Sequence, residues 1–185
     1  MNDYEIRTVT IEDAPRLLAI YSYYVENTAI TFEYEPPSLE EFESRISNTL
    51  QKYPYLCILQ EGTILGYAYA GPFRTRAAYQ WTAEMTIYLA PGAQKRGLGR
   101  KIYEALERQL KEMGILNLYA CIGYPRTEDE YLSSNSAQFH EHMGYTKIGE
   151  FHNCGYKYGH WYDMIYMEKI IGEHTVNPSV PERTA

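Results

Sequence analysis

The sequence predicts a mixed α/β domain built around a single sheet, with elements in the order β-α-α-β-β-β-α-β-α-β-β. Three observations carry this. Three segments place apolar residues at helical spacing, a fourth short helix precedes Gly144, and strand-like apolar runs fill the intervals between them. Glycines and prolines punctuate the joins. No internal repeat or linker interrupts the series, so one domain spans residues 1–171 and residues 172–185 form a tail expected to be loose.

Tyr4 to Val9 alternates and reads as the first strand. Thr10 and Asp13 form a loose capping box, followed by Ala14, Leu17, Leu18, Tyr21, Tyr24 and Val25 on one helical face; the pattern fails near Asn27. Pro36 and Pro37 block a helix, and Ser38 with Glu41 opens the next one, striped by Leu39, Phe42, Ile46, Leu50 and Tyr53. Tyr55–Gln60 and Ile64–Ala70 read as a hairpin turning at Glu61-Gly62. Thr82–Leu89 is a strand with Met85, Ile87 and Leu89 on one face and Glu84, Thr86 and Tyr88 on the other. A helix over about 97–113 carries Leu98, Ile102, Leu106, Leu110 and Met113, and Gly114 stops it. Leu116–Ile122 is a strand and Ser136–Met143 a short helix. Tyr145–Phe151 and Tyr162–Ile170 are the last two strands.

Composition narrows the function. A net charge of -7 over 185 residues argues against a nucleic-acid binder, which carries a basic stripe. No stretch approaches the roughly 18 apolar residues of a membrane span, and Met1–Thr10 lacks a signal-peptide core. Cys57, Cys121 and Cys154 form no C-x-x-C pair, which fits reduced thiols and a cytoplasmic location. His140 and His142 point apart on a helix, and with His152, His160 and Cys154 they make no convincing metal site; no metal is expected. The 20 tyrosines fit core packing or a tyrosine-lined pocket.

The most informative stretch is Gln94-Lys95-Arg96-Gly97-Leu98-Gly99-Arg100, between a strand and a helix. Its glycines let backbone N–H groups approach a ligand, and the helix N-terminus adds free donors and partial positive charge, which suits a pyrophosphate. A Walker loop fails because Leu98-Gly99 follows Gly97 where Lys-Ser or Lys-Thr belongs. A dinucleotide fingerprint fails because Ile102 replaces its third glycine.

The remaining Q-x-x-G-x-G resembles the acetyl-CoA loop of the GNAT superfamily of N-acetyltransferases. Thr31-Phe32, Glu35-Pro36, Gly71-Pro72-Phe73-Arg74, Ala78-Tyr79, Thr86-Ile87-Tyr88, His140-Glu141 with Gly144-Tyr145, and Gly155 to Trp161 are similar to the phosphinothricin acetyltransferase-like branch, over roughly residues 6–168. The resemblance implies a GNAT-like fold, acetyl-CoA as acetyl donor, and direct transfer to the α-amino group of a small amine of the phosphinothricin or methionine sulfoximine type. It also implies a homodimer. A protein N-terminus or polyamine acceptor, or a non-catalytic acyl-CoA sensor, are the alternatives.

Acetyl transfer needs a base for the amine and a donor for the oxyanion. Glu84 is the first candidate base: its neighbours Trp81, Ala83 and Met85 are apolar, so burial would raise its pKa, and the branch uses a glutamate here. His140, also matched by the branch, is the second candidate, as base or acid. A backbone N–H near Ile87 or Leu89 would serve the oxyanion, on a strand expected to splay from Leu118–Ile122 and leave a slot for pantetheine. Ser136 matches a CoA-contacting serine, although Ser133 replaces the usual asparagine before it and the loop 126–134 is longer and more acidic than the family norm. Arg74 and Arg76 suit a substrate carboxylate. Phe32, Tyr34, Tyr79 and Tyr156 would wall the acceptor pocket, although aromatic packing explains them equally well.

Overall fold

The computed structural model describes residues 4–182. The elements are β1 (Tyr4–Thr8), α1 (Ala14–Asn27), α2 (Leu39–Leu50), β2 (Tyr55–Gln60), β3 (Thr63–Pro72), β4 (Thr82–Leu89), α3 (Leu98–Glu112), β5 (Asn117–Tyr124), α4 (Asn135–His142), β6 (Thr146–Lys157) and β7 (His160–Ile170). This is the predicted order. Short 3-10 turns at Ile11–Asp13 and Ala77–Tyr79 were not expected.

Local chemistry sets the helix starts. The Ser38 hydroxyl accepts the Glu41 N–H at 3.1 Å and caps α2, but the Glu41 carboxylate turns to Arg45. Asp13 accepts the Thr10 N–H at 2.9 Å and is gripped by Arg7 at 2.7 and 2.8 Å, which ties the start of α1 to β1.

The seven strands lie in the order β1-β2-β3-β4-β5-β7-β6. All neighbours are antiparallel except β4 and β5. Tyr88 meets Tyr21 and Tyr24 of α1 at 5.2 Å between ring centroids, whereas Ile87 approaches Gly99 of α3. Successive strand residues point to opposite faces, so α1 and α2 cover one face of the sheet and α3 the other. The α3 stripe of Leu98, Ile102, Leu106 and Leu110 is fully buried, as are Leu17 and Val25 of α1. Each such side chain contributes about 1.5–3 kcal/mol.

Two expectations need correction. The sixth strand does not stop at Phe151: a bulge between Phe151 and Gly155, with Asn153 at φ 49°, lets it continue to Lys157. The polar run His152-Asn153 breaks the alternation in sequence but only kinks the strand. The hairpin then turns at Tyr158 and Gly159, both with positive φ. The tail expected to be loose has neither helix nor strand in its described part, yet it is tied down. Trp81 Nε1 donates to Ser179 O at 2.8 Å, the Glu182 N–H to Met113 O at 3.0 Å, and His174 pairs with Asn117 at 2.6 Å.

Candidate active site

The centre of the site is the place where β4 and β5 part. Their pairing covers Thr82–Glu84 against Asn117–Tyr119 and ends there. Beyond it, β4 keeps β3 as its partner. Ala90 N–H donates to Leu65 O at 2.8 Å, so the even-numbered residues of β4 are the hydrogen-bonded partners of β3. The N–H groups of Ile87 and Leu89 therefore face away from β3, into the widening gap. The splay expected from the sequence is present, with these two amides on its edge.

Glu84 stands at the last paired position. Its strand neighbours Ala83 and Met85 are buried, and burial raises its carboxyl above the ordinary value, partly offset by Arg74 and the Tyr166 phenol. Opposite Glu84 on β3 is Gly71, and nothing lies within 4 Å of where its Cβ would be. The carboxylate thus borders open space on the face covered by α1 and α2.

An aromatic wall flanks it. Phe73 stacks on Tyr119 at 4.4 Å and meets Tyr166 edge-on at 5.9 Å. The Arg74 guanidinium lies 4.3 Å from the Phe73 ring centre and 5.9 Å from that of Tyr166. Tyr79 touches Phe73 at 5.9 Å. The structure therefore brings Arg74 and Tyr79 to the Glu84 neighbourhood. Arg76 is exposed at the start of a 3-10 turn and does not join this cluster. Phe32 sits farther along the same face, stacked on Tyr162 at 6.4 Å and against Gly123 and Gly155. Its loop is held by Lys157, whose buried ammonium donates to Val25, Thr28 and Thr31 carbonyls at 2.7, 2.8 and 2.9 Å.

The loop between β4 and α3 is wound as its glycines require. Gly92, Lys95 and Gly97 have φ of 80°, 61° and 75°. Gln94 braces it from within: its Oε1 accepts the Gly92 N–H at 2.9 Å and its Nε2 donates to Tyr24, whose hydroxyl donates to Leu89 O at 2.6 Å. Arg96 turns to Gln60 and Tyr4 at the β1–β2 edge, and Arg100 pairs with Glu104 at 3.7 Å. The first intrahelical bond is Lys101 N–H to Gly97 O, so the amides of Leu98, Gly99 and Arg100 are free of helix partners. Gly99 admits close packing: a Cβ there would lie 3.2 Å from Phe139.

His140 differs from the expectation of an available base. It is 3% exposed, on α4. Its Nδ1 lies 2.7 Å from Ser136 O, which can only accept, so Nδ1 carries the proton. Nε2 then accepts from the Tyr103 hydroxyl at 2.9 Å. Both nitrogens are engaged, and burial pushes the pKa down to about 4. Ser136 meets His140 through its carbonyl.

Several site residues had no local signal in the sequence. Tyr166 and Tyr119 reach Glu84 only through strand register across β4, β5 and β7. Tyr103 lies on α3 beside its apolar stripe and carries no signal of its own.

The acetyltransferase (GNAT) domain family model matches residues 6–166. A phosphinothricin N-acetyltransferase from Streptomyces viridochromogenes is 33% identical over 165 residues, covering 89% of this chain and 86% of that protein. An L-methionine sulfoximine/L-methionine sulfone acetyltransferase from Salmonella typhimurium is 27% identical, covering 91% and 95%. The crystal structure of a GNAT superfamily phosphinothricin acetyltransferase from Sinorhizobium meliloti in complex with AcCoA superposes with a TM-score of 0.87 at 31% identity, over 97% of this chain and 94% of that one. Sequence, fold and loop geometry thus agree that this chain belongs to the GNAT acetyltransferase family.

Proposed function

We propose that the protein transfers the acetyl group of acetyl-CoA directly to the amino group of a small amino-acid-like acceptor, with Glu84 as the base. The observation that carries this reading is the position of Glu84: a carboxylate with raised pKa, beside open space, at the point where β4 and β5 part.

Acetyl-CoA supplies the acetyl group as a thioester. The free amides of Leu98, Gly99 and Arg100, with Lys95 beside them, fit its pyrophosphate. Gln94 shapes that loop from within, and Arg96 braces it against β2. The slot between β4 and β5 suits the pantetheine arm, and Ser136, in the first turn of α4, is assigned to it by the family resemblance. The N–H of Ile87 or Leu89 donates to the thioester oxygen as negative charge gathers there.

An ammonium must lose a proton before it attacks, and a carboxylate poised above its ordinary pKa accepts one, directly or through a water. Glu84 is favoured over His140 because both His140 nitrogens are engaged. Arg74, packed on the Phe73 ring with Tyr166 nearby, is the group for the acceptor carboxylate, with Tyr79 and Phe32 as walls. Arg76 serves at most at the rim. The names of the relatives support an acceptor of the phosphinothricin or methionine sulfoximine type. A homodimer in the cytoplasm completes the reading. The exposed Ile148 and Phe151 on edge strand β6 support a paired edge.

The test is CoA release from acetyl-CoA with phosphinothricin, methionine sulfoximine, methionine sulfone, the common amino acids and several polyamines. Turnover on an α-amino acid supports the proposal. Turnover on polyamines alone, or acetyl-CoA binding with no turnover, overturns it.

A further inference from the structure

A cavity of about 360 Å³ lies between α1, α2 and the sheet, on the Glu84 face. Six rings wall it, Tyr55, Tyr67, Tyr69 and Tyr88 from three adjacent strands and Tyr21 and Phe42 from the helices, while Arg45, Asn48 and Thr49 of α2 add a polar side. Tyr67 is 1% exposed and Tyr55 3%. Among the described residues, the hydroxyls of Tyr55, Tyr67 and Tyr88 have no hydrogen-bond partner. Yet no fully occluded side-chain oxygen or nitrogen lacks one among the described residues, so these hydroxyls keep access to solvent, and their residues all line the cavity. Phenols this deep ordinarily find a partner, and three such residues around one cavity offer a polar ligand atom its partners.

Charge narrows the ligand. The one cation in the lining, Arg45, is held by Glu33 at 2.8 Å and by Glu41, so it offers no unpaired positive charge. An anionic group gains nothing there. Rings and neutral hydroxyls suit a neutral, flat, partly polar group.

Position ties the cavity to Glu84. Along the strands the rows run Gly71–Glu84, Tyr69–Thr86 and Tyr67–Tyr88. Each step of two residues is about 6.7 Å. Tyr69 lines the cavity and stands in the row next to Gly71–Glu84, so it joins both places. An amino acid with its amine at Glu84 therefore points its side chain over the open position at Gly71 toward the tyrosines.

We propose that this cavity is the side-chain subsite of the acceptor and selects an amino acid bearing a neutral aromatic ring with a polar edge, such as a phenol or an indole. The proposal rests on the acetyl transfer inferred above, but it puts an aromatic side chain in place of the phosphinothricin or methionine sulfoximine type named there, and its test separates the two. Wild-type enzyme is assayed for CoA release with L-tyrosine, L-tryptophan, L-alanine and L-glutamate, beside Tyr67→Phe and Tyr88→Phe, which keep the rings and remove one O–H each. Expected is a kcat/KM for tyrosine or tryptophan at least about tenfold above alanine and glutamate. The tyrosine-to-alanine ratio then falls about 3- to 10-fold in each variant, through KM rather than kcat. Preference for alanine or glutamate, or ratios unchanged in both variants, overturns the subsite. Should no amine be turned over at all, the transfer reading fails and the cavity is judged by binding: p-cresol and indole are titrated into the full chain by calorimetry. Saturable binding that weakens 3- to 10-fold in Tyr67→Phe upholds the cavity as a site, and no saturable binding removes it.

Discussion

Gly155 lies under the ring of Phe32 so closely that a Cβ built on it would fall 2.4 Å from Phe32 Cε2. The β6 backbone thus seats the loop that follows α1, and Lys157 fastens the same loop two residues later. Gly155→Ala must push the ring away. The variant is expected to lose about 1–3 kcal/mol of stability, as overpacked sites do. Thermal unfolding reads the stability, and acceptor KM should rise while acetyl-CoA KM stays within twofold. An unchanged melting temperature and acceptor KM would mean the loop yields without consequence.

Glu84→Gln removes the base while keeping shape. A general base contributes about 10²–10⁴-fold, so kcat should fall by that order with acetyl-CoA affinity unchanged. The pH profile gives a second readout. Glu84 must be ionised to accept a proton and its pKa is raised, so activity declines as pH falls through a value above the usual carboxylate range. That acidic limb should vanish from the residual activity of the variant. A near-normal rate would take Glu84 out of the mechanism.

His140 makes a prediction about stability. Its folded pKa of about 4 lies below the ordinary histidine value of 6.5 because the ring is buried. Above pH 6.5 the side chain is neutral in both states. As pH falls from 6.5 toward 4, the unfolded chain takes up a proton that the folded one refuses, and stability drops by an amount on the order of 3 kcal/mol. His140→Asn should have a lower melting temperature at pH 7 but a shallower loss between pH 7 and 5. Equal slopes for both proteins would show that His140 is not held neutral.

Gly97→Ala tests the loop. Gly97 has φ 75°, and nothing lies within 4 Å of its Cβ position, so the change strains the backbone without a clash. The left-handed conformation costs a non-glycine residue about 1–2 kcal/mol. Acetyl-CoA affinity, measured by calorimetry, should weaken up to about tenfold, with acceptor KM little altered. Undiminished affinity would detach this turn from cofactor binding.

Much of this structure was legible in the sequence because its signals are local. Periodicity together with glycine and proline stops located all eleven regular elements, since α3 and α1 bury one stripe, β4 alternates faces and Gly144 ends α4. The loop from Gln94 to Arg100 announced itself through glycines that the backbone needs. The apolar residues around Glu84 foretold the direction of its pKa shift. What remained hidden depends on register between distant strands. Nothing near Tyr166 says that it will stand beside Glu84, and the tyrosines of β2, β3 and β4 gather around one cavity only once three strands align. His140 shows the opposite limit: its motif pointed to chemistry, while its partners Tyr103 and Ser136 reveal a proton-bearing Nδ1 locked inside α4. Arg96 and Arg100 stand beside the phosphate loop in sequence, but their side chains turn to Gln60 and Glu104, partners that no local pattern announces.

The short junction of β4 with β5 has a mechanical side. Four strands lie to one side of it and three to the other, and only the pairs from Thr82 to Glu84 join the two leaves. Rungs are missing along the rest of the seam, so the leaves part from each other more readily than strands within either leaf. A long, thin guest lying in the seam acts as a splint that replaces those rungs for both leaves at once. Filling the seam and stiffening the sheet are then one event, and amide exchange across β4 and β5 should slow together when acetyl-CoA is added.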